Sequence, residues 1–318
     1  MHIVALSHDR TNHSLRRFRA TAVEMGHKFS RIDPIECDLM LGPGTRGIHY
    51  QGRPFPKTDV ALVRRGSGIQ DLEITVVNHL ENTGVPVLNG TYGLLTSRDK
   101  FWGLRRLADR GIPVPRTVVL HDPKHIKQAI KLIGEPPVVI KLLRGMRGVG
   151  VMIADSMNSL RSIAETFHSK GERILLQEYI EESKGSDVRV LVVGGKVVAA
   201  MKRQADVGEF RSNIHRGGTG TLFKLDAKSK RMAVDAARII GLDIAGVDLI
   251  YSDHGPLVME VNSSPGFEGL EKATGQDIAR IIMEHSIALA EGRAKTMARK
   301  LRLVEAPEVG KGVVGPRH

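Results

Sequence analysis

The sequence predicts an α/β (α+β) fold in which a small parallel sheet precedes two units built on antiparallel sheets. Three observations support this prediction. Strands and helices alternate over residues 1–97, two strands flank a glycine-rich turn within residues 98–180, and two hairpins fill most of residues 181–290. Residues 291–318 are rich in basic residues, glycine and proline, so we expect a loosely held basic tail there.

The N-terminal region alternates strands with helices. It opens with the apolar strand HIVALS, and a helix follows that ends at Gly26. A second strand, DVALVRR, precedes the helix LEITVVNHLENTG and the strand VPVLNG. Alternation of this kind favours a parallel sheet with short connections.

The middle region begins with a helix over 98–110, which Gly111 and Pro113 end. Two strands then flank the glycine-rich turn 144–150, and a helix leads to a third strand that ends at Ile180. This order predicts an antiparallel sheet covered on one side.

Two hairpins define the C-terminal region. The first turns at Gly194 and Gly195, a common two-residue hairpin turn. The second turns near 253–255. One helix separates the hairpins, and another, over roughly 269–292, follows the second hairpin.

Composition narrows the class of partner. The 318 residues carry a net charge of +12, which favours anionic partners. Aromatic residues make up only 4% of the chain, so the stacking surfaces of single-strand nucleic-acid binders are scarce. A phosphate-bearing or carboxylate-bearing partner fits better.

The same composition predicts a cytoplasmic protein with no membrane partner. Cys37 is the only cysteine, which excludes a disulfide framework and a cysteine-based zinc site. No apolar run approaches the roughly 20 residues that span a bilayer. The first residues resemble a β-strand more than a signal peptide.

The clearest chemical signal is a set of oxygen donors in the second hairpin. Glu260 and Asn262 lie two residues apart on a strand, so they share one face. A three-residue turn at 253–255 would place Asp248 directly across from Glu260. A surface hairpin could scatter polar residues similarly, but carboxylates in apolar strands are costly when unpaired. We therefore predict a Mg²⁺ site at these three residues.

A second signal combines the glycine-rich turn with lysines. Backbone N–H groups of the turn 144–150 could bind phosphates, although a plain hairpin turn would look similar. The turn is not a P-loop, because it lacks the GK[ST] ending and opens no helix. Lys141 precedes it in an apolar strand, where a buried lysine needs an anion. Lys100 is a further candidate, although taken alone it reads as a solvated helix residue.

Two weaker signals complete the set. Glu178 and Tyr179 end a strand and could form a linker whose backbone pairs with an adenine edge, with Asp187 accepting from ribose hydroxyls. A strand end followed by a solvated acidic loop is the alternative. Arg203 precedes the basic loop 206–218, and arginine stabilises charge on a transferring phosphoryl group. A solvated basic loop would have the same composition.

Together these segments resemble the ATP-grasp superfamily, and most closely the RimK family of α-L-glutamate ligases. The resemblance covers almost all of the chain to about residue 290. The segments that carry it are RDK (98–100), VVIK (138–141), RGMRGVGV (144–151), LQEYI (176–180), SDVRVLVVGGKVVAA (186–200), FRSNIHRGG (210–218), AGVDL (245–249) and MEVNSSPGFEGLE (259–271). It implies a pre-ATP-grasp domain over 1–97 and two antiparallel lobes, 98–180 and 181–290, that enclose ATP.

The resemblance also implies an ATP site. Its residues are Lys100, Lys141, Glu178, Tyr179, Asp187, Arg211, Ser212 and Asn213. In the family the two lysines contact the nucleotide, residues 178–179 form the adenine hinge, and Asp187 binds the ribose. Residues 211–213 belong to a loop that closes on the phosphates.

Further roles follow from the same resemblance. Asp248, Glu260 and Asn262 would bind two Mg²⁺ or Mn²⁺ ions, and Arg203 would steady an acyl-phosphate state. Ser264 and Gly266 would border the substrate pocket. The family also implies a homo-oligomer, with a tetramer as its form.

The implied function is ligation of L-glutamate to the C-terminal carboxylate of a glutamate-tailed small-subunit ribosomal protein, with poly-α-glutamate synthesis as a related activity. No nucleic acid is required. One alternative is an ATP-grasp ligase for another amino acid or dipeptide. Another is a nucleotide-regulated RNA- or ribosome-binding module, which would need no metal ligands. A protein kinase is disfavoured because the HRD and DFG motifs are missing.

Overall fold

The computed structural model describes residues 1–43, 45–66, 68–143, 150–183, 185–205 and 219–305. Within these ranges no helix has both the length and the apolar character that crossing a membrane would require.

The N-terminal region contains a four-stranded parallel sheet, as the alternation of elements predicts. Its elements are β1 (His2–Leu6), α1 (His13–Glu24), β2 (Lys28–Ile32), β3 (Cys37–Gly42), β4 (Thr45–Tyr50), β5 (Arg53–Pro54), β6 (Val60–Val63), α2 (Asp71–Asn82), β7 (Val87–Leu88) and α3 (Thr91–Arg98). The parallel sheet has the order β2-β1-β6-β7.

Sequence reasoning missed four strands of this region. β2 is a half-exposed edge strand in which only Ile32 is buried, so its apolar signal is weak. β3, β4 and β5 form a separate antiparallel sheet. The predicted domain boundary at 97/98 lies at the last turn of α3, and the division into domains stays a prediction.

The middle region forms the predicted antiparallel sheet, with one strand (Thr117–Leu120) and one helix (Ile126–Ile133) that sequence reasoning missed. Its elements are α4 (Lys100–Ala108), β8 (Thr117–Leu120), α5 (Ile126–Ile133), β9 (Val138–Leu142), β10 (Val151–Ala154), α6 (Met157–Ser169) and β11 (Ile174–Glu178). The strand order is β10-β9-β11-β8. Ala129 of α5 and Leu160 of α6 pack with Ile140 and Leu176 of the sheet, so this lobe has a core of its own.

The C-terminal region contains a five-stranded antiparallel sheet. Its elements are β12 (Ser186–Val193), β13 (Lys196–Gln204), β14 (Thr219–Leu222), α7 (Ala227–Ile240), β15 (Ile244–Ser252), β16 (Gly255–Asn262), α8 (Glu268–Thr274) and α9 (Ile278–Glu305). The order is β14-β13-β12-β15-β16. Both predicted hairpins are present, and β14 extends the sheet beyond them.

Alternation along β12 gives this sheet two different faces. Val190 packs with Ala236 of α7 on one face. Leu191 packs on the other face with Ile282 of α9 and with Ile3 of the N-terminal sheet. The N-terminal and C-terminal regions therefore share one hydrophobic core.

The pairing of Asp248 with Glu260 is confirmed, but the turn was predicted incorrectly. Ser252 pairs with Gly255, so the turn has two residues between its closing pair and not three. An irregularity between Asp248 and Leu249 shifts the register by one residue and brings Asp248 opposite Glu260. A β-bulge thus compensates for the shorter turn.

The helix predicted over 269–292 is two helices. Gly275 has a φ of 69° and caps α8 in the left-handed conformation, which a glycine adopts without steric cost. The predicted basic tail begins inside α9, which continues to Glu305. Residues 306–318 lie outside the described residues.

The buried carboxamide of Asn89 joins the N-terminal region to the C-terminal sheet. Asn89 Nδ2 donates to the carbonyls of Ile244 and Ser263, each at 2.7 Å. Its Oδ1 accepts from the Ile244 amide at 2.9 Å. These bonds fix where β15 starts and where the chain leaves β16.

We expect Asn89→Ala to lower the free energy of unfolding by about 3 kcal/mol, because it leaves buried backbone groups of Ile244 and Ser263 without partners. Equilibrium urea unfolding measures the change. Asn82→Ala is the matched control, because its side chain lies on an exposed helix face and donates there to Asn78. Similar losses in the two variants would contradict this account.

Candidate active site

Charged side chains cluster on one face of the C-terminal sheet, where β12, β15 and β16 lie side by side. Asp248 lies between Arg189 on β12 and Glu260 on β16 in the strand register. Asn262 Nδ2 lies 3.3 Å from Asp248 Oδ2. The three predicted metal ligands are therefore brought together on one face.

Asp248 is buried, and arginines neutralise it. Arg189 donates from Nε and Nη2 to its two carboxylate oxygens, each at 2.5 Å. Arg203 Nη2 lies 3.1 Å from Asp248 Oδ2. Two guanidinium groups thus meet one carboxylate inside the sheet.

Arg203 is fixed by a second acid as well. Its Nε donates to Asp187 Oδ1 at 2.7 Å, and its Nη2 donates to Oδ2. Burial alone would lower the pKa of Arg203, but attraction to Asp248 and Asp187 raises it, so the guanidinium stays charged. Asp187 is buried and holds Arg203, while its predicted ribose contact stays a prediction.

Lys100 connects the start of the middle region to this face. Asp99 caps α4 by accepting from the Trp102 amide at 2.9 Å, which places Lys100 at the first helical position. Lys100 Nζ lies 3.0 Å from Glu260 Oε2. Attraction to Glu260 raises the pKa of Lys100. Burial would raise the pKa of Glu260, but attraction to Lys100 lowers it to about 2.

Lys141 is buried in the middle sheet without a carboxylate partner among the described residues. Its Nζ donates to Gln177 Oε1 at 2.7 Å, and Gln177 Nε2 donates to Thr117 Oγ1 at 2.9 Å. Burial, and then repulsion from Lys100, lowers the pKa of Lys141 to about 8. A bound anion would remove this penalty.

The predicted adenine hinge begins at the end of β11. Glu178 accepts from the Arg116 amide at 2.7 Å and from Arg116 Nε at 2.5 Å. Its own amide donates to the Arg116 carbonyl at 3.0 Å. Tyr179 follows as the first residue after the strand and is half-buried. Both the side chain and the amide of Glu178 are therefore engaged within the lobe.

The donor set fits a hard divalent cation. Asp248 and Glu260 offer carboxylate oxygens, and Asn262 offers a carboxamide oxygen. No three His, Cys, Asp or Glu side chains converge as a metal site in the described part of the chain, so the set depends on the carboxamide for its third donor. Arg189 forms an ion pair with Asp248, and Lys100 forms one with Glu260. These side chains supply the positive charge that the two carboxylates need when no metal ion is bound.

The predicted phosphate-covering loop and most of the glycine-rich turn fall outside the described ranges. Arg211, Ser212 and Asn213 lie outside the described residues, as does the glycine-rich turn from 144 to 149.

Sequence reasoning missed two side chains of the site. Arg189 stands two residues after Asp187 on a strand, and the two-residue spacing used for Glu260 and Asn262 would have found it. Gln177 directly precedes Glu178, and only the structure shows that it accepts from Lys141.

Comparison with protein families matches nearly the whole chain. Residues 1–94 match the RimK PreATP-grasp domain, and residues 97–286 match the RimK-like ATP-grasp domain.

Individual relatives agree with these matches. A probable α-L-glutamate ligase of Marinomonas sp. (strain MWYL1) is 43% identical over 90% of this chain and 95% of its own length. Probable α-L-glutamate ligase 1 of Pseudoalteromonas atlantica is 45% identical, covering 89% of this chain and 94% of that protein. A RimK domain ATP-grasp protein of Sphaerobacter thermophilus superposes with a TM-score of 0.71 at 24% identity, covering 90% and 99% of the two chains. The fold is therefore the ATP-grasp fold.

We expect proton uptake to accompany the binding of metal-free ATP at about pH 8. The uptake should be about half a proton larger for the wild-type chain than for Lys141→Arg. The pKa of Lys141 is about 8, so half of the molecules carry a neutral amine at that pH, and a bound triphosphate restores the charge. Arginine stays protonated throughout. Calorimetry in buffers of different ionisation enthalpy measures the uptake, and the difference should vanish near pH 6. Equal uptake at about pH 8 would contradict the assignment of Lys141.

Replacing Asp248 and replacing Glu260 should lower the free energy of unfolding by different amounts. Asp248→Asn removes the acid that the half-buried Arg189 shares with the buried Arg203, and we expect a loss of about 3 kcal/mol in unfolding free energy. Glu260→Gln should cost less than Asp248→Asn, because the Glu260 side chain is 30% exposed and that of Lys100 is 18% exposed, so water can reach the unpaired lysine. Urea unfolding of both variants measures the contrast, and a larger loss for Glu260→Gln would reverse this ranking.

Proposed function

The chain belongs to the RimK-like ATP-grasp family, and from this membership we propose that it is an ATP-dependent α-L-glutamate ligase. The proposed reaction adds glutamate to a protein or peptide C-terminus and releases ADP and phosphate. The observation that carries the proposal is the charged face on which Asp248, Glu260 and Asn262 meet Lys100 and Arg203. The names of the relatives support glutamate as the amino acid.

In the proposed mechanism the lysines neutralise ATP. Lys141 offers a buried ammonium group whose charge burial opposes, so a triphosphate gains more from it than from a solvated lysine. Lys100 can leave Glu260 for a phosphate oxygen when another cation compensates that carboxylate. Glu178 and Tyr179 would hold the adenine, and residues 211–213 would cover the phosphates.

The chemical steps balance without a protein nucleophile. An oxygen of the acceptor carboxylate attacks the γ-phosphorus, the bond to the β–γ bridging oxygen breaks, and ADP leaves with that oxygen. The α-amine of glutamate then attacks the acyl phosphate carbonyl, loses a proton and expels phosphate. We assign to Arg203, which Asp187 holds, the role of stabilising the negative charge on the transferred group.

Asp248, Glu260 and Asn262 are the residues that would hold Mg²⁺ or Mn²⁺, and we propose two ions. Bound there, the cations would offset phosphate charge during transfer. Arg189 holds the Asp248 carboxylate in place for this role.

For the acceptor we propose the glutamate-tailed C-terminus of a small-subunit ribosomal protein. The net charge of +12 supports an acidic acceptor, because long-range attraction raises the encounter rate with an anionic tail.

We expect the chain, given ATP, Mg²⁺, L-glutamate and a peptide that ends in glutamate, to produce masses that rise by one glutamate residue at a time. If the terminal carboxylate of the peptide carries oxygen-18, the phosphate released in the first addition should contain one labelled oxygen, because an acyl phosphate passes that oxygen to phosphorus. Intact-mass spectrometry of peptide and phosphate measures both.

Glu260→Gln is the control and should reduce product formation by about 100-fold or more while the chain stays folded. A mass increase that matches another amino acid would contradict glutamate as the substrate. Unlabelled phosphate in the first addition would exclude the acyl phosphate. Steeply salt-dependent RNA binding without product would favour a binding module.

A further inference from the structure

A buried arginine lies outside the cluster described above and lacks a carboxylate partner among the described residues. Arg64 directly follows β6 and is only 8% exposed. Its Nη2 donates to the Pro265 carbonyl at 2.7 Å and lies 3.4 Å from Ser14 Oγ. Both acceptors are neutral, and its enclosed Nε forms no hydrogen bond there. Burial lowers the pKa of Arg64 to about 10.

A buried hydroxyl without a partner lies on the neighbouring strand end. Ser7 directly follows β1 and is fully buried, and its Oγ forms no hydrogen bond within the described chain. Leu6 pairs with Val63, and the Arg64 amide donates to the Leu6 carbonyl at 2.9 Å, so Ser7 and Arg64 stand side by side.

Both side chains belong to the same face of the sheet. Ile3 of β1 and Leu62 of β6 pack in the core shared with Phe18 of α1. Two-residue alternation carries that face from Ile3 to Ser7 and from Leu62 to Arg64. The Arg64 guanidinium carbon lies 5.5 Å from the centre of the Phe18 ring, in agreement with this placement.

This position is where open parallel sheets bind ligands. In the order β2-β1-β6-β7 the chain runs from β1 to β2 on one side, and β6 lies on the other. The crevice beyond the carboxyl ends of β1 and β6 is therefore the topological switch point of the sheet.

The position also adjoins the proposed catalytic face. Pro265 follows Asn262 by three residues, and a Cβ at Gly246 would come within 2.7 Å of Pro265 Cβ, so this proline packs directly on β15. Gly246 pairs with Asn262 in the sheet.

We propose that Arg64 and Ser7 form a carboxylate-binding subsite at this switch point and hold a carboxylate of one of the two ligase substrates. A carboxylate supplies the charge that the guanidinium lacks, and it accepts from both Arg64 Nε and the Ser7 hydroxyl. The subsite rests on the proposed function, because glutamate and a glutamate-ended acceptor are the carboxylates that this reaction brings to the cleft.

The test measures carboxylate binding by calorimetry on the full chain with Mg²⁺ and a non-hydrolysable ATP analogue. The probes are L-glutamate and a tetraglutamate peptide, titrated separately. We expect Arg64→Gln to weaken one of them at least tenfold and Ser7→Ala to weaken the same one severalfold, with affinity for the ATP analogue unchanged. The probe that weakens identifies the substrate that occupies the subsite.

Arg17→Gln is the matched control. Arg17 also links α1 to the C-terminal region, but it is paired with acids, 2.7 Å from Asp277 and 3.5 Å from Glu271. We expect this control to bind both probes like the wild type and to lose some thermal stability. Arg64→Gln should keep or raise its melting temperature, because it removes a buried charge without a counterion.

Unchanged affinity for both probes in Arg64→Gln and Ser7→Ala would overturn the subsite, and so would a wild-type chain that binds neither probe. If Arg64→Gln does not fold, Ser7→Ala decides alone. Wild-type ligation with unaltered binding in these variants would refute the subsite and keep the ligase. Arg64-dependent binding without any ligation would support the subsite and refute the ligase.

Discussion

The site depends on neutralising buried carboxylates in a protein interior. Asp248 lies within a sheet, where an unpaired ion would cost several kcal/mol. That cost is a large fraction of the free energy of unfolding of a typical domain. Arg189 compensates it from the neighbouring strand β12, Arg203 compensates it from β13 one strand further on, and Asp187 in turn fixes Arg203. The positions of β12, β13 and β15 relative to one another are therefore linked to charge balance as well as to backbone hydrogen bonds. Lys100 extends the same balance to Glu260 from outside the sheet.

Two-residue alternation determined how much of the site could be predicted. The spacing of Glu260 and Asn262 was sufficient to place those two donors on one face, whereas Asp248 was placed opposite Glu260 through a turn length that is wrong. The same rule applied to Asp187 would also have revealed Arg189. The turn length was not predictable in this way, because the bulge beside Asp248 offsets a shorter turn and leaves the same pairing.

Other features depended on tertiary contacts that the sequence does not display. β2 was missed because a half-exposed edge strand has little apolar periodicity. The helix after β16 was predicted as continuous because Gly275 stands within a helical pattern, and its left-handed conformation became visible only in the structure. Gln177 and Arg64 became informative only through what they contact, a lysine in one case and a proline carbonyl in the other.

The shared core has a mechanical consequence. Ile3 and Phe18 pack with Leu191 and Ile282, and Asn89 bonds across the same junction, so the first and last regions should move as one rigid body. The middle lobe has a separate core of its own, built around residues such as Ile140. Nucleotide entry and exit would then come from tilting of this lobe, with the hinges near α4 and the end of β11. The first and last regions would keep their relative positions while this lobe tilts.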